Sequence, residues 1–101
     1  MPAVTRDIAL LVPKAIKYAQ LEELIVGQAK NYGETHGGVN VEDIRCVDVY
    51  EGKGIEPGHL SIAIRFRLRA EDRTLKTEEV NEIVNLIVTT LALRFGVSLR
   101  S

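Results

Sequence analysis

The residues in this chain that could do chemistry are few, and the most regularly placed of them are arginines. In the stretch HLSIAIRFRLR (59–69), Arg65, Arg67 and Arg69 alternate with Ile64, Phe66 and Leu68. On a strand, such alternation puts the guanidinium groups on one face and the apolar side chains on the other. A row of cations suits phosphates or the planes of bases. Tyr50 closes a second β-branched, alternating stretch, DIRCVDVY (43–50), and offers a ring on which a base can stack. Asp7 and Asp48 resemble an acid–base pair, but a flat face neither excludes water nor raises a pKa. His36 and His59 fall in loops without metal-ligand spacing, and Cys46 is read as an inert thiol. Gly52-Lys53-Gly54 lacks the frame of a phosphate loop. No catalytic residue, metal ligand or cofactor is assigned, so the chemistry expected here is recognition.

Those side chains need a scaffold, and the hydrophobic periodicity supplies one. Residues 4–12 read as a strand stopped by Pro13. From Tyr18 to Tyr32, Leu21, Leu24, Ile25, Ala29 and Tyr32 recur at helical spacing, with Gly33 as the expected C-cap. Residues 34–40 are a polar loop, 43–50 a strand, 51–58 turn material and 59–69 the cleanest strand in the chain. Thr77 is the expected N-cap of a second helix, with Glu78 and Glu79 favourably placed in its first turn. Val80, Ile83, Val84, Ile87 and Leu91 form its apolar stripe, Gly96 ends it, and 97–100 is a last short strand. The order β-α-β-β-α-β predicts an α+β ferredoxin-like sandwich, a four-stranded antiparallel sheet with both helices on one face.

The other sheet face is then open, and alternation says what lies on it. Ile8, Leu10, Val47, Val49, Ile62, Ile64 and Phe66 should be buried under the helices, together with Ile83, Val84, Ile87 and Leu91. Thr5, Asp7, Ala9, Leu11, Cys46, Asp48, Tyr50, Ser61, Ala63, Arg65, Arg67 and Arg69 should face away from them. Small residues let a base approach the backbone, an aromatic stacks on it, and arginines hold phosphate, which together suit single-stranded RNA. The plainer reading is a solvated face on which Asp7 and Asp48 neutralise Arg65 and Arg67 in weak surface pairs.

Composition sets the outer bounds. The 101 residues are expected to form one domain over 1–101, and 46% hydrophobic content suffices for one core. A single cysteine excludes an internal disulfide and suggests a reducing compartment, with the cytoplasm as the expected location. No membrane-length apolar run or signal peptide is evident. A net charge of −1 argues against indiscriminate polyanion binding, although the basic surplus gathers towards the two ends of the chain.

PAVTRDIALLV, DVYEGKGIEPGHLSIAIRFR, EDRTLKTEEVN and LRFGVSLR together resemble the C-terminal ferredoxin-fold anticodon-binding domain of the bacterial phenylalanine–tRNA synthetase beta subunit, from Pro2 to Arg100. The resemblance implies a module that holds the anticodon end of phenylalanine tRNA. Its parent enzyme uses ATP and Mg²⁺ as an α2β2 assembly, with catalysis in the alpha subunit. It also implies roles for open-face residues: Tyr50 as the aromatic stacked on the wobble base, with Ala9 and Ser61 lining the pocket. Arg65 and Arg67 are the expected phosphate contacts. Partners would be phenylalanine tRNA, the alpha subunit and the remainder of the beta subunit.

Departures from the family pattern are Met1 in place of an aromatic, a longer 34–42 loop, Val47 in place of Phe, and Leu60 in place of a lysine. Leu86, Val88 and Leu93, outside the main helical stripe, suggest an interface to the rest of a beta subunit or to a second copy in a homodimer. Two other functions fit this fold. One is an acylphosphatase-like hydrolase, for which residues 13–18 lack the phosphate loop. The other is a regulatory module that binds an amino acid or a partner protein at a dimer interface.

Overall fold

A computed structural model describes residues 2–100. Met1, where the departure at the N-terminus falls, lies outside the described residues. The elements are β1 (Val4–Pro13), α1 (Tyr18–Glu34), β2 (Val39–Tyr50), β3 (His59–Ala70), α2 (Thr77–Phe95) and β4 (Ser98–Leu99). The sheet order is β2-β3-β1-β4, and every neighbouring pair is antiparallel. Each helix joins strands separated by one other strand, so both lie on the same side of the sheet. The core joins Ile8, Leu10, Val12, Ile62, Ile64, Phe66 and Leu68 of the strands to Leu21, Ile25, Ile83, Ile87 and Leu91 of the helices. This is the expected ferredoxin-like α+β sandwich.

Several boundaries differ from expectation, each for a local reason. The first helix continues to Glu34 and is capped by Thr35, so Gly33 lies inside it. Gly33 is needed for close packing instead: a Cβ there would come within 2.9 Å of the Val39 carbonyl oxygen and closer still to its amide nitrogen. The second strand begins at Val39, four residues early, because Val39 pairs with Ala70 and extends the sheet to the helix end. The loop between them therefore shrinks to residues 35–38. Lys76 takes the N-cap position expected of Thr77. Gly96 does adopt the left-handed conformation at the C-cap of α2, with φ 67°.

The larger correction concerns β2. Val47 and Val49 were expected to be buried, yet they are 41% and 54% exposed. The register slips between Val41 and Asp43 and again between Cys46 and Asp48. Such bulges insert an unpaired residue and reset which face each side chain occupies. Val49, opposite Ile62, does lie on the helix side, but at the end of an edge strand where neither helix covers it. Cys46, expected on the open face, stands opposite Ile64 and therefore lies on the helix side. There it neighbours Tyr18, whose hydroxyl is buried. Burial, followed by the nearby Glu22, pushes the Tyr18 phenol up to about 12. Val84 is only partly buried, and Ser61, expected to be accessible, is 5% exposed.

Asp72-Arg73-Thr74-Leu75, within the EDRTLKTEEVN stretch, includes a structural clamp. Arg73 bonds both carboxylate oxygens of Glu79 in the first turn of α2, and its Nη1 donates to the His36 carbonyl at 2.7 Å. The Tyr32 hydroxyl donates to the same Glu79, and the Tyr32 ring stacks on His36 with centroids 3.8 Å apart. One arginine thus joins the end of α1 to the start of α2. Its guanidinium holds the Glu79 carboxyl below the usual carboxylate range.

Candidate nucleic-acid interface

The open face is built in rows across the strands, because residues directly opposite in an antiparallel pair share a face. At one end Leu11, Ser61 and Tyr50 stand in a row, and the next row is Ala9, Ala63 and Asp48. Then come Asp7, Arg65 and Arg45, followed by Thr5, Arg67 and Asp43. The face therefore has a neutral end with an aromatic and a charged end with arginines.

At the neutral end Tyr50 is 39% exposed, and its hydroxyl donates to the Lys53 carbonyl at 2.9 Å, which braces the β2–β3 turn. The ring is therefore held at its tip while its body stays accessible. Ser61 lies beside it on β3, but covered. Arg100 is the cover: its amide donates to the Ala9 carbonyl at 2.8 Å, next to the short β4. Its side chain crosses β1 so that Nη1 donates to Ser61 Oγ at 3.0 Å. The Arg100 guanidinium carbon lies 5.8 Å from the centre of the Tyr50 ring, within cation–π range. Ala9 and Ala63, with only methyl side chains, leave room for it. The expected residues Tyr50, Ser61 and Ala9 are thus brought together, with Arg100 added.

Sequence reasoning missed Arg100, though a signal was present. Val97 is buried and Leu99 pairs with Leu10 on the helix side, so period two places Arg100 on the open face. A two-residue strand is too short for that alternation to stand out.

At the charged end, Arg65 and Arg67 are where alternation placed them, but not as free cations. Asp7 accepts from Arg65 Nε at 2.8 Å and from Nη2 at 3.0 Å. That hydrogen bonding, assisted by the Arg65 charge, holds the Asp7 carboxyl below its usual range against the opposing effect of desolvation. Asp48 was the expected partner of Arg67. Instead Arg67 lies 3.8 Å from Asp43 and 3.9 Å from Glu42, and Arg69 is paired with Glu42 at 3.1 Å. The bulge at Val41/Asp43 brings both acids to these arginines, which no strict alternation could foresee. No group of three His, Cys, Asp or Glu that could hold a metal ion occurs among the described residues.

The architecture defines the class: a ferredoxin-like α+β sandwich whose uncovered sheet face carries an aromatic, small residues and cations. Residues 1–100 match the model of the ferredoxin-fold anticodon binding domain, and the chain belongs to that family. It is 39% identical over 99 residues to the phenylalanine–tRNA ligase beta subunit of Pseudoalteromonas translucida, covering 98% of this chain and 11% of that protein. The beta subunit of Syntrophotalea carbinolica is 40% identical over 98% of the chain, again 11% of the relative. That of Aquifex aeolicus is 37% identical over 99% of the chain and 12% of its own length. The chain thus spans about a ninth of the curated relatives it matches. No helix among the described residues is long and apolar enough to cross a membrane.

Proposed function

We propose that this domain (residues 1–101) binds the anticodon region of phenylalanine tRNA on its open sheet face, as the tRNA-gripping part of a phenylalanine–tRNA ligase beta subunit in the cytoplasm. The observation that carries the reading is the neutral end of the face. There a partly exposed Tyr50 ring, held at its hydroxyl by the Lys53 carbonyl, stands beside Ser61, Ala9 and Arg100. A base can stack on that ring, and the Arg100 guanidinium, seated over the covered Ser61, gives it a polar partner at its edge. Arg65 and Arg67 supply phosphate contacts further along the face. The names of the relatives supply the choice of tRNA and, with it, the expected partners: an alpha subunit and the rest of a beta subunit in an α2β2 assembly. Leu86 and Leu93, exposed on α2 with Leu93 at 83%, suit such a neighbour. Activation of phenylalanine with ATP and Mg²⁺ is assigned to the parent assembly, and this domain contributes binding.

The test is a titration of the domain with phenylalanine tRNA and with a second, unrelated tRNA. Tyr50→Ala should weaken binding of phenylalanine tRNA by about 1–3 kcal/mol, the usual worth of a base–aromatic stack. The loss should be nearly independent of salt, because a phenol ring neutralises no phosphate. Equal affinity of Tyr50→Ala and parent for phenylalanine tRNA would refute the stacking role.

A further inference from the structure

The arginines of the open face are not in equivalent states. Arg65 is held by both oxygens of Asp7, and Arg69 is paired with Glu42. Arg67 sits at the outer limit of an ion pair with Asp43 and Glu42, at 3.8 and 3.9 Å. Arg45 has no carboxylate within 4.0 Å among the described residues. Yet Arg45 stands directly opposite Arg65 on the neighbouring strand. Like charges at directly opposite positions destabilise a sheet. Asp7 satisfies Arg65 and is only weakly influenced by Arg45. Arg45 is therefore left without an anion of its own within ion-pair reach among the described residues.

There is also a place for that anion. Thr5, Asp43, Arg45, Arg65, Phe66 and Arg67 line a shallow depression of about 260 Å³ on this part of the face. It offers three guanidinium groups and the Thr5 hydroxyl, with Asp43 as its one carboxylate. An incoming anion competes with the loose Asp43–Arg67 contact and leaves the bidentate Asp7–Arg65 pair intact. Along β3, the four residues from Ser61 to Arg65 place the depression roughly 13 Å from the Tyr50 row. A single strand covers that distance in a few nucleotides.

We infer that this depression is a second RNA subsite. It seats a backbone phosphate of the strand whose base stacks on Tyr50, and Arg45 is the cation that takes it. This rests on the tRNA-binding reading above. It gives the strand a path along β3, from the aromatic end of the face to the charged end.

The experiment titrates the domain with the anticodon stem-loop of phenylalanine tRNA across a salt series, using the parent, Arg45→Gln, Arg45→Lys and Tyr50→Ala. Arg45 is exposed on a strand, and matching thermal melts establish that each variant is folded. Arg45→Gln should lower the slope of log affinity against log salt by about 0.7–0.9, one phosphate contact. Arg45→Lys should keep the slope, because it keeps the charge. An unchanged slope for Arg45→Gln, with binding still weakened by Tyr50→Ala, would overturn the subsite and leave the stacking reading standing. A parent domain that binds the stem-loop no better than an unrelated hairpin would overturn both.

Discussion

Two glycines of α1 should respond to the same substitution with opposite signs. Gly27 and Gly33 both lie within Tyr18–Glu34, and neither has a positive φ. Alanine in a helix interior is favoured over glycine by about 0.8–1.0 kcal/mol. A Cβ built at Gly27 meets nothing within 4 Å, so Gly27→Ala should gain most of that amount. Gly33→Ala places its Cβ 2.9 Å from the Val39 carbonyl oxygen, 3.0 Å from the Val39 Cα and closer still to its amide nitrogen. These are backbone atoms, so no side chain can swing aside. Val39 is held by its pairing with Ala70, and its neighbour Gly38 is fixed by Gly38 N–H to Gly33 O at 2.7 Å and Glu71 N–H to Gly38 O at 3.0 Å. Forcing β2 away strains or breaks these bonds, worth about 1 kcal/mol each. Overpacking adds about 1–3 kcal/mol. Set against the helix gain, the net loss should be about 2–3 kcal/mol. Urea unfolding followed by far-UV circular dichroism reads both variants, with an unchanged m-value as the sign of an intact two-state transition. Thermal midpoints should move in opposite directions, by about 4–8 °C per kcal/mol. If Gly33→Ala is as stable as Gly27→Ala, the close contact of α1 with β2 is wrong.

Tyr50→Phe should keep the stacking surface but lose the bond to the Lys53 carbonyl, so tRNA affinity should fall only slightly. Stability should drop by about 0.5–1.5 kcal/mol as the β2–β3 turn loosens, and a loss of affinity as large as that of Tyr50→Ala would assign the binding to the hydroxyl instead. Acid should unfold the domain partly through Glu79. Its folded pKa lies below the ordinary 4.5, so its contribution is fully present above that value and is lost as pH falls through the folded pKa. Glu79→Gln should therefore flatten the decline of stability below about pH 4.5, and urea midpoints that fall equally steeply in parent and variant would remove Glu79 from the cause.

The element order, the sandwich and the division of β1 and β3 into two faces were legible in the sequence. Those strands alternate without interruption, and period two then leaves no freedom: Phe66 must go inward if Arg65 and Arg67 go outward. It also placed Tyr50, Ser61 and Ala9 on one surface, because Tyr50 opposite Ser61 lies beyond the second register shift, where regular pairing resumes. Features that depend on the bulges and on neighbours distant in sequence emerge only in the folded chain. Two register shifts in β2 turned Cys46 to the helix side and brought Glu42 and Asp43 to the arginines. Both follow from one unpaired residue per bulge, which leaves no regular mark in a row of alternating side chains. Val47 and Val49 are apolar and still exposed, since burial requires a helix overhead as well as the right parity. Ser61 reads as an open-face hydroxyl and is covered, because Arg100 arrives from the far edge of the sheet, 39 residues along the chain. Periodicity reports which way a side chain leaves its own strand, and only the folded chain determines what comes to rest against it.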